Sequence, residues 1–172
     1  HRPYLASRNG VPVADGGATA RTASIGELNL TFHLPGNERY LWDFATLPPA
    51  QGQGIYPRLL RTILKHESLN ADRFWIIFAP ENLPSGAGMQ KAGFIPVGQL
   101  SFRVGGGVGL APFEDERGKK HLARMHAGAT LLGVPVIETI LAPCWCCGNL
   151  VEQSPTLYSS CWPPTRANGN TC

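Results

Sequence analysis

Gln51-Gly52-Gln53-Gly54 precedes a segment in which Ile55, Leu59, Leu60, Ile63 and Leu64 recur at helical spacing, with Arg58, Arg61 and Lys65 on the other face. Glycine lets the backbone turn tightly, and a helix that follows offers free N–H groups and the positive end of its dipole at one spot. That combination suits a phosphate or pyrophosphate. It serves equally as a plain tight turn, so the loop alone is a weak sign. Two common nucleotide loops are excluded: no Gly-Lys-Ser/Thr closes it, and Pro57 stands where a dinucleotide loop needs its third glycine. Cysteine offers a second chemistry. Cys144, Cys146, Cys147, Cys161 and Cys172 all lie at the C-terminal end. Cys144-Trp145-Cys146-Cys147-Gly148 contains a Cys-x-x-Cys-Gly knuckle, a turn that brings two thiolates to one zinc. Cys161 and Cys172 form no second knuckle, so a zinc site competes with an irregular tail of free thiols.

These residues need elements to position them. A chain of 172 residues, 43% hydrophobic and only 16% charged, has enough apolar material for one globular domain with a short appendage. A net charge of +3 without a clustered patch implies no nucleic-acid partner. The longest apolar run, Phe74 to Ala79, is far short of the ~20 residues of a spanning helix, so no membrane partner is expected. An odd cysteine count without a signal segment argues for a reducing compartment, hence the cytoplasm.

Asn9-Gly10 between short apolar stretches predicts a hairpin turn. Glu27 to Leu34 alternates polar and apolar, and Tyr40 to Leu47 puts Tyr40, Trp42, Phe44 and Thr46 on one strand face. Pro57 is tolerable only in a first helical turn, which starts that helix near Gly54 or Ile55. The continuously apolar Phe74 to Ala79 reads as a strand buried on both faces, so strand, helix and strand form a parallel crossover in a mixed α/β sheet fold. A helix over Leu83 to Ala92 ends at Gly93, and Phe94 to Arg103 is extended. Gly105 to Gly109 reads as a flexible connection, Asp115 to Leu132 as a helix closed by Gly133, and Val134 to Leu141 as a strand. From Pro143 onward irregular structure is expected. The chain thus divides into a core over 1–104, a Gly-rich connection with helix and strand over 105–143, and a Cys-rich tail over 144–172.

Two blocks together resemble the GNAT family of acyl-CoA-dependent N-acyltransferases. Thr46 to Tyr56 looks like that family's strand and its Gln/Arg-x-x-Gly-x-Gly/Ala loop, and Asn82 through Lys91-Ala92-Gly93-Phe94 is similar to its Asn followed by a helix ending in Lys-x-Gly-Phe. The resemblance covers somewhat more than half the chain. It implies a central twisted mixed sheet flanked by helices. It also implies transfer of an acetyl group from acetyl-CoA to a primary amine by direct attack. The backbone of Gln51, Gly52, Gln53, Gly54, Ile55 and Tyr56 would cradle the CoA pyrophosphate. Backbone groups of Phe44, Ala45 and Thr46 would hold the pantetheine arm and polarise the thioester, and Asn82 would bind the arm or merely cap its helix. The core would then bind CoA without residues 144–172.

Departures from the family open other readings. Met89 stands where the family commonly has a tyrosine acid, Ile77 where some members carry a glutamate base, and Tyr56 where a Gly or Ala usually closes the loop. The family's first strand and two acceptor helices have no counterpart before Tyr4; they lie upstream of His1 or the acceptor side is built differently. Tyr40 and Glu38 are the catalytic candidates, with Glu81 a third. His33, His66, His121 and His126 lack metal spacing, and no metal ligand is assigned. Two alternatives to an enzyme follow: a non-catalytic acyl-CoA-binding or sensor domain, and a zinc-dependent interaction module working through the tail. The amine and the oligomeric state are left open.

Overall fold

Asn9 (φ 50°) and Gly10 (φ 79°) both take left-handed backbone, the combination that turns a two-residue hairpin with the twist of its strands. They join β1 (Arg2–Arg8) to β2 (Val11–Thr19). The computed structural model describes residues 1–79, 82–103, 106–114, 118, 120–138 and the backbone of 156–161. The remaining elements are β3 (Thr22–Ile25), β4 (Leu30–His33), β5 (Glu38–Thr46), α1 (Ile55–Glu67), β6 (Arg73–Phe78), α2 (Leu83–Ala92), β7 (Ile95–Phe102), β8 (Val108–Pro112), α3 (Leu122–Leu132) and β9 (Thr156–Cys161).

Seven strands form one sheet in the order β1-β2-β5-β6-β9-β7-β8, and β3 pairs with β4 separately. Among the described strands only β5 and β6 are parallel neighbours, joined by α1 as the crossover. This is a mixed α/β sheet fold. On one face, Leu59, Leu60, Ile63 and Leu64 of α1 pack with Met89 and Ala92 of α2 against Leu41, Phe74 and Ile76. On the other, Met125, Ala129 and Leu132 of α3 join Phe32, Tyr40, Trp75 and Leu100. Phe74 and Ile76 therefore face one layer and Trp75 the other, as a strand buried on both sides requires. No helix among the described residues is long and apolar enough to cross a membrane.

Four expectations need correction. Glu27 to Leu34 is not one strand, because a short 3-10 turn over Gly26–Leu28 and left-handed Asn29 come before β4. Part of the glycine run is ordered, since Gly109 lies in β8 paired with Ser101. The third helix begins at Leu122, with 115–117 outside the described residues, and Val134 onward contributes one bridge, Val136 to Leu110. Most consequential is β9. A segment of the expected irregular tail is inserted between β6 and β7, antiparallel to both. The knuckle at 144–148 lies outside the described residues.

Candidate functional site

The parallel strands β5 and β6 pair at Glu38/Arg73, Arg39/Phe74, Tyr40/Trp75 and Leu41/Ile76, and there the pairing ends. Both strands continue, β5 to Thr46 and β6 to Phe78. At the parting point Asp43 takes φ 55° and the β2 register slips, Gly17 facing Trp42 but Asp15 facing Ala45. One extra residue on β5 therefore bulges the strand away from its neighbour. A wedge opens at the carboxyl end of the parallel pair, the end where α/β sheets take ligands. Along it, β5 offers backbone donors and acceptors over Trp42 to Thr46 with no β6 partner.

The bulge also corrects a face assignment. Period two predicts Phe44 beside Tyr40 and Trp42, but the extra residue reverses the phase. Phe44 packs with the α1 layer, whereas Tyr40 belongs to the α3 layer.

The loop that follows is built by its own side chains. Gln51 Nε2 donates to the Thr46 carbonyl at 2.9 Å, and Gln53 Nε2 to the Pro49 carbonyl at 2.7 Å. Gly52 and Gly54 both have φ 72°, and nothing lies within 4 Å of where a Cβ would be at either. Conformation, not crowding, demands glycine there. Gly54 is the N-cap of α1, no side chain caps it and no acidic residue occupies the first turn. The first-turn N–H groups of Ile55 and Tyr56 have no intrahelical acceptor, so they and the dipole are available to an anion.

Aromatic rings line the same end. Tyr56 lies 5.4 Å from Phe44 between ring centroids, and its hydroxyl meets Ser85 Oγ at 3.3 Å. Burial pushes its phenol up to about 12, against the opposing effect of the Ser85 hydrogen bond. Asn82 accepts the Ser85 N–H at 3.3 Å as N-cap of α2. Its exposed amide nitrogen can still donate to a ligand.

Tyr40 and Glu38 are not brought to this end. They lie at the amino end of β5, on the order of 20 Å along the strand from Thr46. Tyr40 is 5% exposed, edge-on to Phe32, and burial raises its hydroxyl pKa. Glu38 accepts from Trp75 Nε1 at 2.6 Å and pairs with Arg73 at 3.5 Å. Both are held in the framework by these contacts, and the structure does not bring them to the loop end of β5, where the sequence reading expects catalytic groups. Glu81 lies outside the described residues. Met89 is 1% exposed inside the α1/α2 layer, and Ile77 packs on the α3 face. Sequence reasoning named Tyr56 for its backbone N–H and did not place its ring against Gly88 of α2. The signal was Gly88 itself, a glycine inside a helix, which something usually packs against.

No protein-family model matches the chain, and no match is found among curated proteins. Solved structures do resemble it. A GNAT-family acetyltransferase from Bacillus anthracis aligns with TM-score 0.52 at 12% identity, over 93% of this chain and 66% of that one. The chain has the GNAT N-acetyltransferase fold. Two further GNAT-fold likenesses are the ribosomal-protein-S18-alanine N-acetyltransferase of Escherichia coli (TM-score 0.49, 12% identity, 98% of this chain and 74% of that one) and the aminoglycoside acetyltransferase AAC(6')-Ib in complex with coenzyme A (0.44, 21%, 58% and 58%). The chain spans between 58% and 74% of the length of these three proteins.

Proposed function

We propose that this chain is an acetyl-CoA-dependent N-acetyltransferase acting on a primary amine. One observation carries the reading: β5 and β6 part after Leu41/Ile76 directly beside a loop with left-handed Gly52 and Gly54 and an uncapped helix N-terminus. An extended amide-bearing arm ending in a diphosphate fits that shape. The N–H groups of Gly52 to Tyr56 would bind the diphosphate, the Gln51 N–H being donated to the Pro48 carbonyl at 3.2 Å. The free β5 edge at Phe44, Ala45 and Thr46 would pair with the arm as a further strand does, and Asn82 would donate to it from α2. A donor on that edge aimed at the thioester oxygen stabilises the charge that develops there and so accelerates attack. In direct transfer the neutral amine attacks the thioester carbonyl carbon. The tetrahedral intermediate then expels the CoA thiolate, and the proton lost by nitrogen balances the one gained by sulfur. The Bacillus anthracis acetyltransferase, which shares the fold, agrees in reaction type and leaves the acceptor open.

The test is CoA binding by calorimetry followed by acetyl transfer to a panel of primary amines. Binding without turnover would favour the second reading, a non-catalytic acyl-CoA-binding domain. That reading is motivated by the apolar Met89 and Ile77 where family members carry proton-transfer groups. Absence of CoA binding would remove both.

A further inference from the structure

Arg8 ends β1, one residue before the Asn9-Gly10 turn. Because β2 runs antiparallel to β5, with Ala14 opposite Thr46 and the Leu47 N–H donating to the Val13 carbonyl at 2.9 Å, this hairpin tip lies at the loop end of the sheet. Arg8 Nη2 donates to Gln53 Oε1, and Gln53 is the residue between the two left-handed glycines. The guanidinium thus lies against the loop from outside it. Residues 47–57 contain no charged side chain, and the first cation of α1 is exposed Arg58, its fourth residue. A CoA thioester carries a diphosphate and a ribose phosphate, whereas its acyl-pantetheine part carries no phosphate.

We propose that Arg8 is a phosphate-binding residue of this site and that it makes the site select CoA thioesters over phosphate-free acyl-pantetheine. The inference rests on the reading under Proposed function. It adds a residue from a hairpin remote in sequence from the loop. A guanidinium has five donors in a planar fork, so one can stay on Gln53 while others meet a phosphate oxygen in a charge-assisted pair. Arg8 is exposed, so its contribution should weaken as salt screens it.

The experiment is calorimetry with CoA and with pantetheine, at about 50 mM and about 300 mM salt. The expected result is that Arg8→Gln weakens CoA binding about tenfold at low salt and less at high salt. Arg8→Lys, which keeps the charge, should recover most of the loss, and pantetheine affinity should not change. Arg21→Gln makes the same charge change at the far end of β2 and should leave CoA affinity within about twofold. CoA affinity unchanged in Arg8→Gln overturns the proposal. So does a loss equal at both salts and not recovered by Lys, which would make Arg8 only a tether for Gln53, and so does an equal loss for pantetheine. No CoA binding by the unaltered chain would instead overturn the reading beneath it, and the two failures are distinct.

Discussion

The ring of Tyr56 rests on the Cα of Gly88: a Cβ there would lie 2.4 Å from Tyr56 Cδ1 and 2.7 Å from Cε1. The two helices that bound the site meet through this contact. In an exposed helix Gly→Ala would gain about 1 kcal/mol, but here the new methyl has to displace a half-buried ring wedged against Phe44. Overpacking costs about 1–3 kcal/mol and outweighs the gain. Gly88→Ala should therefore lower stability in chemical denaturation. In a Tyr56→Ala background, where the ring is gone, the same change should become neutral or stabilising. Equal effects in both backgrounds would deny the contact.

Glu67, 3% exposed at the end of α1, accepts from Arg39 Nε at 3.0 Å, from Arg2 Nη1 at 2.7 Å and from the Tyr4 hydroxyl. Burial alone would raise its pKa, but hydrogen bonds from Tyr4 and Arg39 and the charge of Arg2 outweigh it and hold the carboxyl below 4.5. A depressed folded pKa contributes stability that is present above the unfolded value and is lost as pH falls through the folded one. Acid unfolding should therefore steepen below about pH 4.5. Glu67→Gln, which removes the counter-charge of buried Arg39 and leaves it only its carbonyl acceptors on Gly36, Glu38 and Asn70, should cost about 3 kcal/mol at neutral pH and flatten that acid limb. Urea titrations from pH 3 to pH 7 read both, and an unchanged acid limb in the variant would place the titration elsewhere.

Gly54 separates backbone strain from charge. Its Cβ direction is open, so Gly54→Ala should lower stability by about 1 kcal/mol through the left-handed φ of 72° while leaving room for a ligand. Gly54→Glu adds a carboxylate at the mouth of the N-terminus that the diphosphate would occupy. CoA affinity should then fall at least tenfold below that of Gly54→Ala, measured by calorimetry on folded protein. Equal affinities in the two variants would show that no anion binds there.

How much of this was legible in the sequence depends on the range of the cause. α1 and α2 were readable because Pro57, Gly54 and Gly93 act within one turn of where they stand, and the Asn9-Gly10 turn for the same reason. The loop and the Asn82 cap came from the same local signals. The bulge at Asp43 was not readable, because period two assumes unbroken pairing and the register slips opposite Gly16 on another strand. The Glu67 cluster was not readable, because its partners lie 28 to 65 residues away. The site's wall at Tyr56 required knowing that α2 passes over α1. Tyr40 was chosen by strand face and Glu38 for standing just before the strand, and both lie at the amino end of β5, away from the loop.

Strand β9 makes the C-terminal region part of the sheet. It pairs with β6 from Arg73/Cys161 to Phe78/Thr156 and with β7 from Ile95/Ser159 to Gln99/Thr156. Removing residues 144–172 would strip both neighbours of their ladder in the middle of the sheet and expose apolar faces of β6 and β7. The truncated chain should lose cooperative unfolding and near-UV circular dichroism, and with them CoA binding. A truncated chain with native spectra and intact CoA affinity would show that β9 is dispensable.

Met89 gives the last prediction. By resemblance, position 89 would carry a tyrosine that reprotonates the departing thiolate, and on that ground alone Met89→Tyr would accelerate transfer. The structure argues otherwise: Met89 is 1% exposed and packs with Leu41, Leu60, Ile63 and Phe74 beneath α2. A tyrosine there brings a larger ring into a close-packed layer and a hydroxyl that must find a partner. Overpacking of this kind costs about 1–3 kcal/mol, or about 5 °C in melting temperature for a chain of this size. Met89→Tyr should therefore melt lower and show no gain in acetyl transfer from pH 6 to pH 9. Met89→Leu, close in volume, should keep both stability and activity, so the pair separates size from chemistry. A Tyr variant that turns over faster at unchanged melting temperature would mean that position 89 opens onto the thioester, and the core placement of Met89 would fall.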